Sequence, residues 1–130
     1  MRVYLAVPLV SNRAIGRART MAEAIRDAGH ELTSPWNIEP TEVASPSALN
    51  VFKRDRDGSR AADVLVADAT DPSTGVGMEV MAAYDAGRRV ILVRRRGKRI
   101  SAMLEHMDRK ELLEYEDESE IYEGLRKLLR

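Results

Sequence analysis

The apolar positions along this chain change period several times, and the changes mark out alternating strands and helices. Val3-Tyr4-Leu5-Ala6-Val7 is an unbroken apolar run closed by Pro8, the pattern of a strand buried on both faces. Ala18, Met21, Ala22 and Ile25 recur at helical spacing, with Ser11 or Asn12 as a candidate cap and Gly29 as the stop. His30-Glu31-Leu32-Thr33 predicts a short second strand. Residues 34–46 hold three prolines, a tryptophan and an asparagine, which predicts a shaped loop and one candidate for a lid.

A second helix is predicted from Ser47 to Ala61. Its inward stripe is Ala48, Val51, Phe52, Asp55 and Ser59, continuing to Ala62. A third strand, Asp63 to Ala67, runs into Asp68-Ala69-Thr70-Asp71-Pro72-Ser73-Thr74-Gly75-Val76-Gly77-Met78-Glu79. Here the pattern predicts a glycine-rich turn and then a helix after Gly77, carrying Val80, Met81 and Tyr84 and stopping near Gly87. Arg89 to Val93 predicts a fourth strand, Arg94 to Arg99 a basic loop, and Ser101-Ala102-Met103-Leu104 the opening of a short helix. Glu111 to Tyr115 predicts a fifth strand. Ile121, Tyr122, Leu125, Leu128 and Leu129 share one face of a last helix. The alternation predicts an α/β fold: one Rossmann-like or flavodoxin-like domain over residues 1–130, with a five-stranded, mostly parallel sheet covered by helices on both faces. Ligands in such folds sit beyond the carboxyl ends of the strands. Those ends are Val7-Pro8, the 34–46 loop, the Asp68–Gly77 segment and the basic loop.

Composition narrows the function. Lysine plus arginine and aspartate plus glutamate number 21 each among 130 residues, so the formal charge is zero, which argues against a general nucleic-acid or membrane surface. Without cysteine there is no disulfide framework or thiolate metal site. His30 and His106 lie too far apart in sequence for metal-ligand spacing. No metal or cofactor is called for. With no signal-peptide pattern and no long apolar run, a soluble cytoplasmic protein is the expectation.

The chemistry concentrates after the third strand. Gly75 and Gly77 would let backbone N–H groups approach an anion, and a helix start favours negative charge. The segment is no P-loop, since no Gly-Lys-Ser/Thr follows. It is a poor dinucleotide fingerprint, since Val80 stands where a third glycine belongs. A carboxylate, Glu79, beside a phosphate-sized nest makes sense if the phosphate is a handle and the carboxylate attacks the carbon attached to it. Plainer readings stand beside this one: a tight strand-to-helix turn, and a first-turn glutamate stabilised by the helix dipole. Asp55 on an apolar face needs partners and could simply pair with an arginine. Tyr4 could be core, Trp36 packing, Arg94 to Arg99 a solvated loop, and Ser101 an N-cap.

Taken in order, Tyr4, Asp55, the Ala62–Ala67 strand, Pro72-Ser73-Thr74-Gly75-Val76-Gly77-Met78-Glu79 and Ser101-Ala102-Met103-Leu104 resemble the nucleoside 2-deoxyribosyltransferase superfamily. Within it they are most similar to the 2'-deoxynucleoside 5'-phosphate N-hydrolase branch. The resemblance implies a Glu79 nucleophile at C1' of the sugar, Asp55 binding the sugar and assisting catalysis, and Tyr4 at the reacting centre. It implies phosphate contacts from Ser73, with Gly75 and Gly77 beside it, and from Ser101 lent by the neighbouring subunit of a homodimer. The substrate implied is a nucleoside 5'-monophosphate. The alternatives carried with it are a nucleoside 2-deoxyribosyltransferase, a ribonucleotide N-hydrolase and a non-catalytic nucleotide sensor. Val7-Pro8-Leu9 stands where the superfamily often has glycine, and Arg13 or Arg17 becomes the candidate for an additional phosphate contact.

Overall fold

A computed structural model describes residues 1–8, 15–38 and 48–130. Its elements alternate in chain order: β1 (Arg2–Ala6), α1 (Ile15–Asp27), β2 (Glu31–Leu32), a 3₁₀ turn (Pro35–Asn37), α2 (Ala48–Ala61), β3 (Val64–Asp68), α3 (Thr74–Asp85), β4 (Arg89–Arg95), α4 (Ala102–Glu105), β5 (Glu111–Tyr115) and α5 (Ser119–Leu128). The strands form one five-stranded sheet in the order β2-β1-β3-β4-β5. Every pairing is parallel, with Tyr4 opposite Leu65 and Ala67 opposite Leu92. The chain builds outward from β1 to β2, then crosses to the other side to lay down β3. The carboxyl ends of β1 and β3 therefore flank the point where strand order reverses, the place where open α/β sheets bind ligands.

Both faces of the sheet are buried, which is why its central strands read as continuous apolar runs. Val3, Leu5, Val64, Val66, Ile91 and Val93 pack with Met21 and Ile25 of α1 and Ile121 and Leu125 of α5. Tyr4, Ala6, Leu65, Ala67, Val90 and Leu92 pack with Val76, Val80 and Ala83 of α3. Among the described residues, no helix is long and apolar enough to cross a membrane. The lid reading and the Ser11/Asn12 cap fall largely or wholly outside the described residues.

Several expectations are corrected. The third helix begins at Thr74, so both glycines lie inside its first turns and Glu79 stands beyond the first turn. Val76, Val80 and Ala83 form a buried stripe at helical spacing, and this packing carries the helix across the glycines that read as a turn. The fourth strand runs on through Arg94 and Arg95, paired to Glu114 and Tyr115 of β5. Arg94 is no solvated loop residue: its side chain is 11% exposed and paired with Glu105 and Glu114. Phe52, expected inward, is 54% exposed.

Candidate active site

Tyr4 is fully buried in the middle of β1, on the sheet face covered by α3. Its hydroxyl donates a hydrogen bond to Oε2 of Glu79. The third member, Asp55, projects from α2 with its side chain 15% exposed, and its charge acts on both Tyr4 and Glu79. Three elements distant in sequence thus bring together the three residues expected to be catalytic. A glycine makes the approach of α2 possible. A Cβ at Gly58 would lie 2.9 Å from Cε2 of Tyr4, so only a residue without a side chain lets the helix lie against the ring here.

The electrostatics set the protonation of the centre. Burial is the main influence on Glu79 and raises its pKa from 4.5 to about 7. The Tyr4 hydrogen bond pulls it down, the Asp55 charge pushes it up, and the Arg54 charge pulls it down. Burial, with the Glu79 carboxylate beside it, raises the Tyr4 phenol, which keeps its proton and remains a donor. Arg54 Nε donates to Asp55 Oδ1 at 2.8 Å, so Asp55 does have the arginine partner that its apolar position demanded. The Arg54 guanidinium also lies 4.7 Å from the centre of the Trp36 ring, and Trp36 meets Tyr4 edge-on with ring centroids 6.2 Å apart. The Trp36 indole N–H is buried with no acceptor among the described residues.

The residues expected to touch phosphate gather elsewhere around α3. Ser73 is the N-cap of that helix and accepts from the Val76 N–H at 3.3 Å. Ser101 caps α4, accepting from the Met103 N–H at 3.2 Å. Ser73, Gly77 and Ser101 all line one groove of about 1110 Å³, whose walls include Met78, Met81, Met103, Leu104 and Met107. Gly75 lies one residue inside the same helix start, outside the groove lining, and Tyr4, Asp55 and Glu79 are not part of that lining either. Arg17 is not available as a phosphate contact. It is 6% exposed, and its guanidinium is committed to Asp68, Asp71 and Glu118. Arg13 lies outside the described residues.

Sequence reasoning missed Gly58, Arg54 and the Arg17 cluster. An isolated glycine in a helical pattern is the one signal that could have found Gly58. Arg54 gave none, because nothing local distinguishes it from the other arginines of this chain, and Arg17 was singled out for phosphate because its acidic partners come from remote parts of the chain.

Fold and site together define a class: a doubly wound α/β protein with a tyrosine-bound carboxyl group on the sheet face covered by α3 and a serine cap at the start of that helix. Residues 3–124 match the nucleoside 2-deoxyribosyltransferase family, and the chain belongs to that family. A protein of Thermofilum pendens, provisionally named a 2'-deoxynucleoside 5'-phosphate N-hydrolase, is 32% identical over 136 aligned positions, which take in 99% of this chain and 95% of the relative. A 2-deoxyribosyltransferase of Bacillus psychrosaccharolyticus superposes with a TM-score of 0.71 at 27% identity, over 94% of this chain and 90% of that one. A CMP N-glycosidase of Clostridium botulinum gives a TM-score of 0.73 over 98% and 97% of the two chains. At 21% identity, that likeness is one of fold.

Proposed function

We propose that this protein hydrolyses the N-glycosidic bond of 2'-deoxynucleoside 5'-monophosphates, releasing free base and deoxyribose 5-phosphate. One observation carries the reading: a carboxyl group with a pKa of about 7, hydrogen-bonded by a buried tyrosine and flanked by a second carboxylate. Such a group is poorly suited to holding an anion and well suited to attacking a carbon. The name of the Thermofilum pendens relative supports the same substrate class.

Glu79 acts as the nucleophile. One of its carboxylate oxygens forms a bond to C1' as the C1'–N bond breaks, and the base leaves with the electron pair and takes up a proton. Water then opens the glycosyl ester, returning the carboxylate and yielding the sugar phosphate. This parallels retaining glycosidases, which place two carboxyl groups about 5 Å apart. Asp55 holds the sugar and assists. Tyr4 fixes the orientation of the attacking carboxylate, so that less freedom remains to be lost at the transition state. Ser73 and Ser101 take the phosphate, aided by the first-turn N–H groups of α3. In this reading the functional unit is a homodimer in which Ser101 serves the partner's site.

The test is incubation with a panel of ribo- and deoxyribonucleoside monophosphates and nucleosides, with chromatography for free base. Release from the deoxynucleoside monophosphates is expected, and Glu79→Gln and Glu79→Ala should both abolish it while the circular dichroism spectrum stays unchanged. Near-normal turnover by either variant removes Glu79 from its role. The family also includes enzymes that hand the sugar to a second base. Adding a free base to the same assay separates the two outcomes, since a transferase would form the new nucleoside and a hydrolase would not.

A further inference from the structure

Two residues before Ser73 stands a carboxylate, Asp71, at a place where negative charge would repel a phosphate. Each of its oxygens is taken by a cation from a different part of the fold. Arg17 Nη2, from α1, donates to Oδ2 at 2.6 Å. Lys98 Nζ, from the loop between β4 and α4, donates to Oδ1 at 2.7 Å. Both contacts hold the Asp71 carboxyl below the usual carboxylate range. The clasp is anchored from behind. Arg17 Nε donates to Asp68, which is wholly buried, at 3.0 Å, and Arg17 Nη1 reaches Glu118 at 3.4 Å. Asp68 in turn accepts from the Thr70 N–H at 3.1 Å, and the Thr70 hydroxyl bonds the Tyr115 hydroxyl at 2.8 Å.

From this fixed point the chain takes one conformationally restricted step, Pro72, to Ser73. On the other side, Lys98 stands three residues before Ser101. Asp71, Ser73 and Ser101 line the same groove. Charge-assisted bonds of this kind are short and directional, so they specify position as well as adding energy. We propose that Asp71 is a positioning residue: clasped by Arg17 and Lys98, it fixes the turn that carries Ser73 for its own site and, through Lys98, the loop that lends Ser101 to the partner's site, and so sets the grip on the substrate's phosphate in both. The inference rests on the reading of the site as one for nucleoside 5'-monophosphates.

Titration calorimetry on the full chain carrying Glu79→Gln, which binds without turnover, tests it. The probes are the four 2'-deoxynucleoside 5'-monophosphates and the four matching nucleosides. Asp71→Asn and Lys98→Met are each expected to weaken monophosphate binding about tenfold, equivalent to ~1.4 kcal/mol, and to leave nucleoside binding within about twofold. The double variant should be no weaker than the worse single one, because both break the same clasp. Arg17→Lys, which keeps a charge beside buried Asp68, should fall between wild type and Asp71→Asn. If Asp71 were only a bystander charge, Asp71→Asn would bind the monophosphate more tightly. Tighter or unchanged binding, or losses that multiply in the double variant, overturns the proposal. Monophosphate binding that follows the expected pattern in a protein releasing no base would sink the glycosidase reading and leave the clasp standing.

Discussion

Glu79 holds its carboxyl group near neutrality because burial favours the uncharged form by more than its neighbours favour the charged one. On the proposed reading Glu79 is the nucleophile and must be ionised, so activity should rise with pH and level off above about 7, the pKa of this group. The neighbours give the limb a sign that can be checked. Tyr4 and Arg54 pull the pKa down, so Tyr4→Phe and Arg54→Gln should move the acid limb to higher pH. Asp55 pushes it up, so Asp55→Asn should move the limb to lower pH, even as the maximal rate drops. Loss of the Tyr4 hydroxyl should also cut the plateau rate by roughly 10²-fold, the scale set by removing one preorganised donor. Profiles of kcat/KM against pH, which report the groups of the free enzyme, check all three. Limbs that shift together, or that stay near pH 4.5 in the wild type, would show that Glu79 does not control the rate.

At the scale of elements, the site depends on how closely α2 lies against β1. Gly58 sits one turn beyond Asp55, on the side of α2 that meets the Tyr4 ring. In an exposed helix, glycine to alanine would gain roughly 1 kcal/mol. Here the added methyl group would sit 2.9 Å from a ring atom of Tyr4, whose hydroxyl is held by Glu79. Gly58→Ala should therefore be destabilising by about 1–3 kcal/mol, the usual range for overpacking, and should lower kcat by shifting Asp55 and Tyr4. Denaturant melts and steady-state kinetics measure the two effects. A more stable and fully active Gly58→Ala would mean that the ring yields freely. Helix α3 is the second element that matters. Its buried stripe fixes the helix on the sheet, and Ser73 at its cap and Glu79 further along it then face different surroundings.

For the whole molecule, strand order places β1 and β3 side by side, and their carboxyl ends bring together what the chain separates. The groove beside α3 carries Met78, Met81 and Met103 at 54%, 41% and 77% exposure, an apolar surface continuous with Ser73 and Ser101. If a second copy covers it, Met103→Glu should give monomers in sedimentation. If Ser101 serves the partner's site, mixing Ser101→Ala with Glu79→Gln chains should restore low-substrate activity absent from either alone. A wild-type monomer, or no recovery on mixing, rules out a shared site.

The strands and most helices were legible because apolar period follows directly from which faces are buried. Val3 to Val7, Val64 to Ala67 and Val90 to Val93 could be little else. The start of α3 was not legible, since local glycine and proline chemistry argued for a turn and only the packing of Val76 and Val80 overrode it. Arg94 read as loop because a charge in a strand needs partners, and those partners, Glu105 and Glu114, come from elsewhere in the chain. By itself, the sequence determined the α/β alternation and singled out Tyr4, Asp55 and Glu79 by type, order and resemblance. Only the tertiary structure decided the protonation of Glu79, the clasp on Asp71 and the fit of Gly58 against Tyr4. Burial and distance between remote side chains set these properties, and neither quantity exists until the sheet has closed the chain on itself.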